Sequence, residues 1–382
     1  MTSDPIKIMF VFGTRPEAIK MIPVIKKMID AEEFEIKICV SAQHRNMLDQ
    51  TLQIFNVIPD YDLDIMRKSQ SLSDITSKTL IGLEKIFAHQ NPDLVLVHGD
   101  TSTTFSAALA AFYNKIKIGH VEAGLRTFNK FEPFPEEINR KLVADLADLN
   151  FTPTKSAKTN LINEGVDEKS IFVTGNTAID CIRYTLKNDY KFKNEQLNKI
   201  DYEHKKVIVV TAHRRENLGE PLENICKAIL KLSADENLEF VYAVHSNPLV
   251  KNTAQKFLSG KNNIHLLDPL DIDDMHNLIS KSFLVMTDSG GLQEEAPSFD
   301  KPVLVLRNVT ERPEGLSTGA LKLVGTDEKN IFDCVRQLIE NQQIYNKMAS
   351  AQNPFGDGQA ADRICKAILF HFGRGSKPEE FI

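Results

Sequence analysis

Residues 284–296 read Leu-Val-Met-Thr-Asp-Ser-Gly-Gly-Leu-Gln-Glu-Glu-Ala. Leu284–Thr287 has the length and apolar character of a buried strand. Asp288-Ser289-Gly290-Gly291 makes a turn, and Leu292 onward resumes with good helix formers. Ser289 can cap that helix, and an acid in the following turn suits a capping box. Two glycines are more than a cap requires. They clear side chains from backbone N–H groups at a helix start, which is a seat for a diphosphate. Glu295, one turn on, is placed to accept ribose hydroxyls.

The same strand–turn–helix rhythm runs outward in both directions. Toward the C-terminus come the runs Val303–Leu306 and Leu321–Val324. Toward the N-terminus come Ile264–Leu267, Phe240–Val244 and Val207–Thr211. Beyond the charge-rich stretch 190–206, which reads as a surface segment or linker, the rhythm continues back to the first residues. Its strands are Ile171–Thr174, Leu149–Thr152, Ile116–Val121, Asp93–His98, Glu35–Val40 and Ile6–Phe12. Helical periodicity follows these runs, as at 16–30, 47–55, 102–113 and 136–147. Repeated β-α units predict α/β architecture: two doubly wound parallel-sheet domains facing a cleft. The predicted boundaries are 1–188 and 205–358, with a C-terminal helical segment, 359–382, that has no strand of its own after it and could pack back on the first domain or cap the second.

The chain has 382 residues with 46 Lys and Arg against 52 Asp and Glu, a net charge of −6. That is the balance of an ordinary globular protein and argues against a nucleic-acid partner. No apolar run approaches the ~18 residues needed to span a bilayer. The first residues have no signal-peptide pattern, since Ile6–Phe12 meets Gly13 and Arg15 at once. Five scattered cysteines without a C-x-x-C argue against a disulfide framework or zinc site and predict reduced thiols in a cytoplasm.

Ligands of open α/β sheets lie beyond the carboxyl ends of the strands, so the candidate residues are those just after each run. Gly13-Thr14-Arg15-Pro16-Glu17 brings Arg15, with Lys20 nearby, to a helix start. This makes an anion site or a plain turn with a solvated arginine. Asp100 follows Asp93–His98 as a helix cap or as a catalytic acid, and its position alone leaves the two open. Glu122 ends the next run. Glu136 and Glu137 open a helix, where the dipole and an i,i+4 pair with Arg140 would account for Glu136. Three acids at one sheet edge nevertheless call for a reason. In the second half, His213-Arg214-Arg215 suits a phosphate-bearing ligand, His245 repeats the theme, and Arg312 follows Val303–Leu306.

Ten blocks carry a family resemblance: GTRPEAIKM (13–21), SAQHRNMLDQ (41–50), VHGDT (97–101), HVEAGLRT (120–127), FPEEINR (134–140), AHRREN (212–217), VHSNP (244–248), DSGGLQEEAP (288–297), TERPEG (310–315) and NPFGDGQA (353–360). In order and without large gaps, they resemble the non-hydrolysing UDP-N-acetylglucosamine 2-epimerases of bacteria. The resemblance implies a glycosyltransferase-B-like fold of two Rossmann-like domains and a homodimer. It also implies conversion of UDP-GlcNAc to UDP-ManNAc by elimination of UDP to 2-acetamidoglucal and re-addition. No metal or nicotinamide cofactor is implied, and the product would supply ManNAc units for surface polysaccharide. Carried over by motif, Asp100, Glu122, Glu136 and His213 form the catalytic set. Arg15, Lys20, Ser289, Gly290, Gly291, Glu295 and Arg312 form the UDP set, and Met275 stands where the family often has an aromatic residue near uracil. Gln43, His44, Arg214 and His245 match a second, allosteric UDP-GlcNAc site of some members. Asn46 and Ser69 depart from the residues that those activated members carry.

Overall fold

The computed structural model describes residues 4–43, 45–67 and 70–382; His44 and Ser69 lie outside the described residues. The chain divides into two compact units. The first runs through Tyr184 and includes Gly356–Ile382; the second is Thr185–Phe355.

In the first unit the strands are β1 (Ile6–Phe12), β2 (Phe34–Val40), β3 (Tyr61–Asp62), β4 (Leu94–His98), β5 (Lys117–Val121), β6 (Leu149–Thr152) and β7 (Ile171–Val173). They form one sheet in the order β3-β2-β1-β4-β5-β6-β7, and every pairing is parallel. In the second unit the strands are β8 (Lys206–Thr211), β9 (Leu238–Ala243), β10 (Ile264–Leu267), β11 (Leu284–Thr287), β12 (Val303–Val305) and β13 (Leu321–Leu323). Their order is β10-β9-β8-β11-β12-β13, again all parallel. Both sheets are doubly wound, as the alternation of runs predicted. The strand order reverses between β1 and β4 in one sheet and between β8 and β11 in the other.

Helices on both faces explain why the central strands are apolar throughout instead of alternating. Met9–Phe12, Leu94–Val97 and Val207–Val210 are all buried. The helices present one apolar stripe each; in Glu220–Leu232 it is Leu222, Ile225, Cys226, Ala228, Ile229 and Leu232. All five cysteines are free and buried. Burial pushes the thiols of Cys39, Cys226 and Cys365 up to about 12, so they pack as small apolar groups.

Two features depart from the sequence reading. The two-residue strand β3 is too short to carry a periodic signal. The stretch 190–206 is more than a linker: Phe192 and Leu197 are buried. Asp274 accepts from Tyr190 Oη (2.8 Å) and from the backbone N–H groups of Lys193 (3.0 Å) and Asn194 (3.1 Å). Apolar residues at scattered spacing within a polar run escape a periodicity test. The C-terminal helix, Ala360–His371, belongs to the first unit, where buried Asp180 accepts the N–H groups of Ala360 (3.1 Å) and Ala361 (2.8 Å).

Gly124, just after β5, has φ +84°, and a Cβ there would overlap the carbonyl oxygen of Ala157. Both backbone strain and backbone collision oppose any side chain. Gly124→Ala should therefore destabilise the first unit by about 2 kcal/mol or more, read as a lower urea midpoint. An unchanged midpoint would mean that the turn has room which this geometry denies it.

Candidate active site

At the switch point of the first sheet, three loops converge after β1, β4 and β5. The helix Arg15–Ile29 begins with Pro16, whose missing N–H is no loss there. Glu17, in its first turn, is 2% exposed. Its carboxylate accepts Gly13 N–H (3.1 Å) and lies in reach of the hydroxyls of Thr101 (2.8 Å) and Thr104 (3.0 Å). Burial drives its pKa up, and these hydrogen bonds oppose that shift. Glu17 thus ties the Arg15 loop to the Asp100 loop.

Asp100 pairs with Arg140, which also reaches Glu137 at 3.3 Å. Asn139 Nδ2 donates to the Asp100 carbonyl at 2.9 Å. Glu122 pairs with Lys20, and Asn176 Nδ2 donates to its Oε2 at 3.2 Å. Its backbone sits at φ +63°, a left-handed conformation that non-glycine residues adopt chiefly where the surroundings enforce it. His98 Nε2 lies 3.8 Å from Glu122 Oε2. His120 Nε2 meets the Gly99 carbonyl at 2.7 Å. Burial holds both imidazoles neutral, pushing His98 down to about 3 and His120 to about 4.

At the switch point of the second sheet, Asp288 is fully buried. Its Oδ2 accepts the N–H groups of His213 (2.7 Å) and Arg214 (2.8 Å) and Asn217 Nδ2 (2.9 Å). Its Oδ1 lies 3.3 Å from His213 Nδ1. The His213 ring stacks on His245, with centroids 5.1 Å apart and planes 9° from parallel. Burial lowers the pKa of His213; the Asp288 charge opposes that, and His245 and Arg214 add to it.

Above the glycine turn two guanidinium groups converge. A Cβ on Gly290 would stand 3.3 Å from Arg312 Nη2 and 3.4 Å from Arg214 Nη2. Arg312 is fixed by Glu294, with Nε at 2.8 Å and Nη2 at 2.6 Å from Oε1. The helix Gly290–Glu295 is short and continues as a 3-10 turn, Ala296–Phe299. The turn therefore offers individual backbone N–H groups and two arginines more than a macrodipole. Among the described residues, no group of three or more His, Cys, Asp or Glu is arranged to hold a metal ion, and no helix is long and apolar enough to cross a membrane.

Several sequence expectations are thereby revised. Asp100 is not the cap of helix Ser102–Tyr113, because Thr101 Oγ1 accepts Thr104 N–H. Glu136 does not pair with Arg140, which turns to Asp100 and Glu137 instead, and Glu136 Oε2 is buried without a hydrogen-bond partner. The Ser289 side chain makes no cap bond; its backbone N–H donates to Thr287 Oγ1 at 2.9 Å. The set matched to a second ligand site stands apart from these revisions; of it, Arg214 lies beside Arg312. Gln43 accepts from Thr103 at 2.9 Å, next to the Gly13 turn. Sequence reasoning gave no role to Glu17, Asp288, Asn176 or His276, and gave Arg140 only that of a helix partner for Glu136. Glu17, Asp288 and Arg140 sit inside quoted blocks and Asn176 and His276 lie outside them; burial is what distinguishes all five from solvated polar residues.

A family model described as UDP-N-acetylglucosamine 2-epimerase matches residues 26–369. The UDP-N-acetylglucosamine 2-epimerase of Bacillus subtilis is 51% identical over 98% of both chains. A structure described as an S. aureus MnaA–UDP co-structure superposes with a TM-score of 0.88 at 48% identity, covering 99% of this chain and 100% of that one. The UDP-GlcNAc 2-epimerase of Neisseria meningitidis, solved bound to UDP-GlcNAc, gives 0.85 at 46% identity, covering 96% and 100%. The chain belongs to the UDP-N-acetylglucosamine 2-epimerase family, and its two parallel-sheet units are those of the glycosyltransferase-B-like fold.

The neutral histidines make a pH prediction. An unfolded chain protonates His98 near its ordinary 6.5, whereas the folded chain resists until about 3. The unfolded state therefore binds more protons across that window, and stability falls as pH falls below about 6.5. His98→Gln should lose less stability than the parent between pH 7 and pH 5, by about 2 kcal/mol, measured by urea unfolding at each pH. Equal losses would show that His98 titrates alike in both states.

Proposed function

We propose that the chain catalyses reversible epimerisation at C2 of UDP-GlcNAc, giving UDP-ManNAc without hydrolysis. The observation that carries this reading is that the chain holds both halves of the chemistry: oriented carboxylates at the switch point of one unit's sheet, and arginines over a glycine turn in the other unit.

The C2 hydrogen has no neighbouring carbonyl to acidify it, so simple removal and return would be very slow. Elimination avoids a free carbanion. A base takes the C2 proton while the C1–O bond breaks, UDP leaves with the electron pair, and 2-acetamidoglucal remains. Re-addition of UDP to C1, with a proton delivered to the opposite face of C2, gives the epimer. No hydride moves, so the chemistry has no use for a nicotinamide. Asp100 and Glu122, each oriented by a cation, divide the C2 proton work. Glu136, with an unsatisfied buried oxygen, accepts a sugar hydroxyl.

The departing diphosphate gathers charge as the bond breaks. Arg15, Arg312 and the N–H groups of Ser289–Gly291 are the groups proposed to stabilise it, with His213 as proton donor to the leaving phosphate. Lys20 acts through Glu122. Glu295 takes the ribose and Met275 packs on uracil. Gln43, His44, Arg214 and His245 remain the set proposed for a second UDP-GlcNAc. The wider setting in this reading is a cytoplasmic homodimer that supplies ManNAc units for polysaccharide.

Proton NMR of the protein with UDP-GlcNAc in D2O tests this directly. The expected product is UDP-ManNAc bearing deuterium at C2. Free ManNAc with UDP would instead assign the hydrolysing reaction, and an unchanged spectrum would remove the epimerase reading. In Asp100→Asn, turnover should fall at least 1,000-fold with UDP affinity retained (on the order of a lost general base and its orientation); near-normal turnover would take Asp100 out of the catalytic set.

A further inference from the structure

His276 lies one residue beyond Met275, on the helix Ile272–Lys281, and is fully buried. It shares the stripe of Ile272 and Ile279, where an apolar residue would be the ordinary choice. A buried imidazole must satisfy both ring nitrogens. Here Nε2 lies 3.2 Å from Glu295 Oε2, and Nδ1 lies 2.6 Å from Thr185 Oγ1. The carboxylate only accepts, so Nε2 carries the proton and donates. Nδ1 shares the second hydrogen bond with the Thr185 hydroxyl. Phe299 packs on the ring, with centroids 5.5 Å apart.

The neighbouring Asn277 fixes the Thr185 segment from the same helix turn. Its Nδ2 donates to the Thr185 carbonyl at 2.8 Å, and its Oδ1 accepts Lys187 N–H at 3.1 Å. The imidazole therefore has a rigid support on the side away from Glu295. With one carboxylate oxygen held by His276, the other is turned over the glycine turn: Oε1 is 3.7 Å from where a Gly291 Cβ would stand.

We infer that His276, held by Thr185, is a positioning residue that aims Glu295 at the ribose hydroxyls and so sets selectivity for a ribonucleoside diphosphate. The inference rests on the proposed reading that Glu295 takes the ribose. A glutamate has three rotatable side-chain bonds, and an unsupported one would lose much of its hydrogen-bond energy to ordering. Holding one oxygen in advance removes that cost and leaves the other oriented. A misplaced carboxylate should cost only the ligand that has hydroxyls to offer.

Calorimetric titration with UDP and with 2′,3′-dideoxyuridine diphosphate separates the possibilities. The parent should prefer UDP. His276→Phe keeps the ring volume but loses both polar contacts. It should weaken UDP binding about tenfold, the scale of one hydrogen bond, and leave the dideoxy ligand unchanged. His276→Gln restores an amide donor toward Glu295 and should recover most of the preference. Thr185→Val, a smaller change, should lower the preference in the same direction. Equal weakening of both ligands in His276→Phe and Thr185→Val, or no weakening of either, would overturn the inference. A parent that binds the two ligands equally would instead refute the ribose role of Glu295, and the inference with it.

Discussion

Buried carboxylates hold the loops at the ends of both sheets. Strands of a parallel sheet pair with one another, but the loops leaving them have no ladder to join. In the second unit Asp288 supplies the missing acceptor. One fully buried oxygen takes two backbone N–H groups from the loop after β8 and a side-chain amide from the turn that follows. In the first unit Glu17 does the equivalent between the loops after β1 and β4. A backbone partner left unsatisfied in the interior costs more than the bond itself contributes. The positions of Arg15, Asp100, His213 and Arg214 all depend on these two side chains.

That constraint also explains how the charges near the candidate acids are managed. Asp100 and Glu122 are each fixed by a cation from another element, Arg140 and Lys20. His98 and His120 lie beside them as neutral, buried imidazoles. In the second unit Arg312 is fixed by Glu294 before any anion arrives. Groups set in advance do not have to reorganise when charge develops, which is where electrostatic catalysis gains most.

Much of the architecture was legible in the sequence because the strand runs are short, apolar and separated by stretches of helical periodicity. β6, β10 and β11 coincide with their runs residue for residue. The glycine turn at 290–291 was legible because two adjacent glycines have few structural uses. What escaped was burial. Glu17 reads as an ordinary first-turn acid, and the Glu136–Arg140 spacing reads as an ordinary helix pair. Tertiary partners redirect both: Thr101 and Gly13 claim the first, while Asp100 draws Arg140 away from the second. His276 left a usable trace, a polar residue on an apolar stripe. Asn176 left none, since its contact with Glu122 spans 54 positions in the chain.

The central claim is that C2 is inverted through cleavage of the C1–O bond. Positional isotope exchange tests it most directly, with UDP-GlcNAc carrying oxygen-18 in the bridge between C1 and the β-phosphorus. If UDP departs and returns, rotation of the free phosphate moves the label into non-bridging positions at a rate comparable to epimerisation. If UDP-ManNAc forms while the label stays wholly in the bridge, that bond never broke, and elimination is not the route.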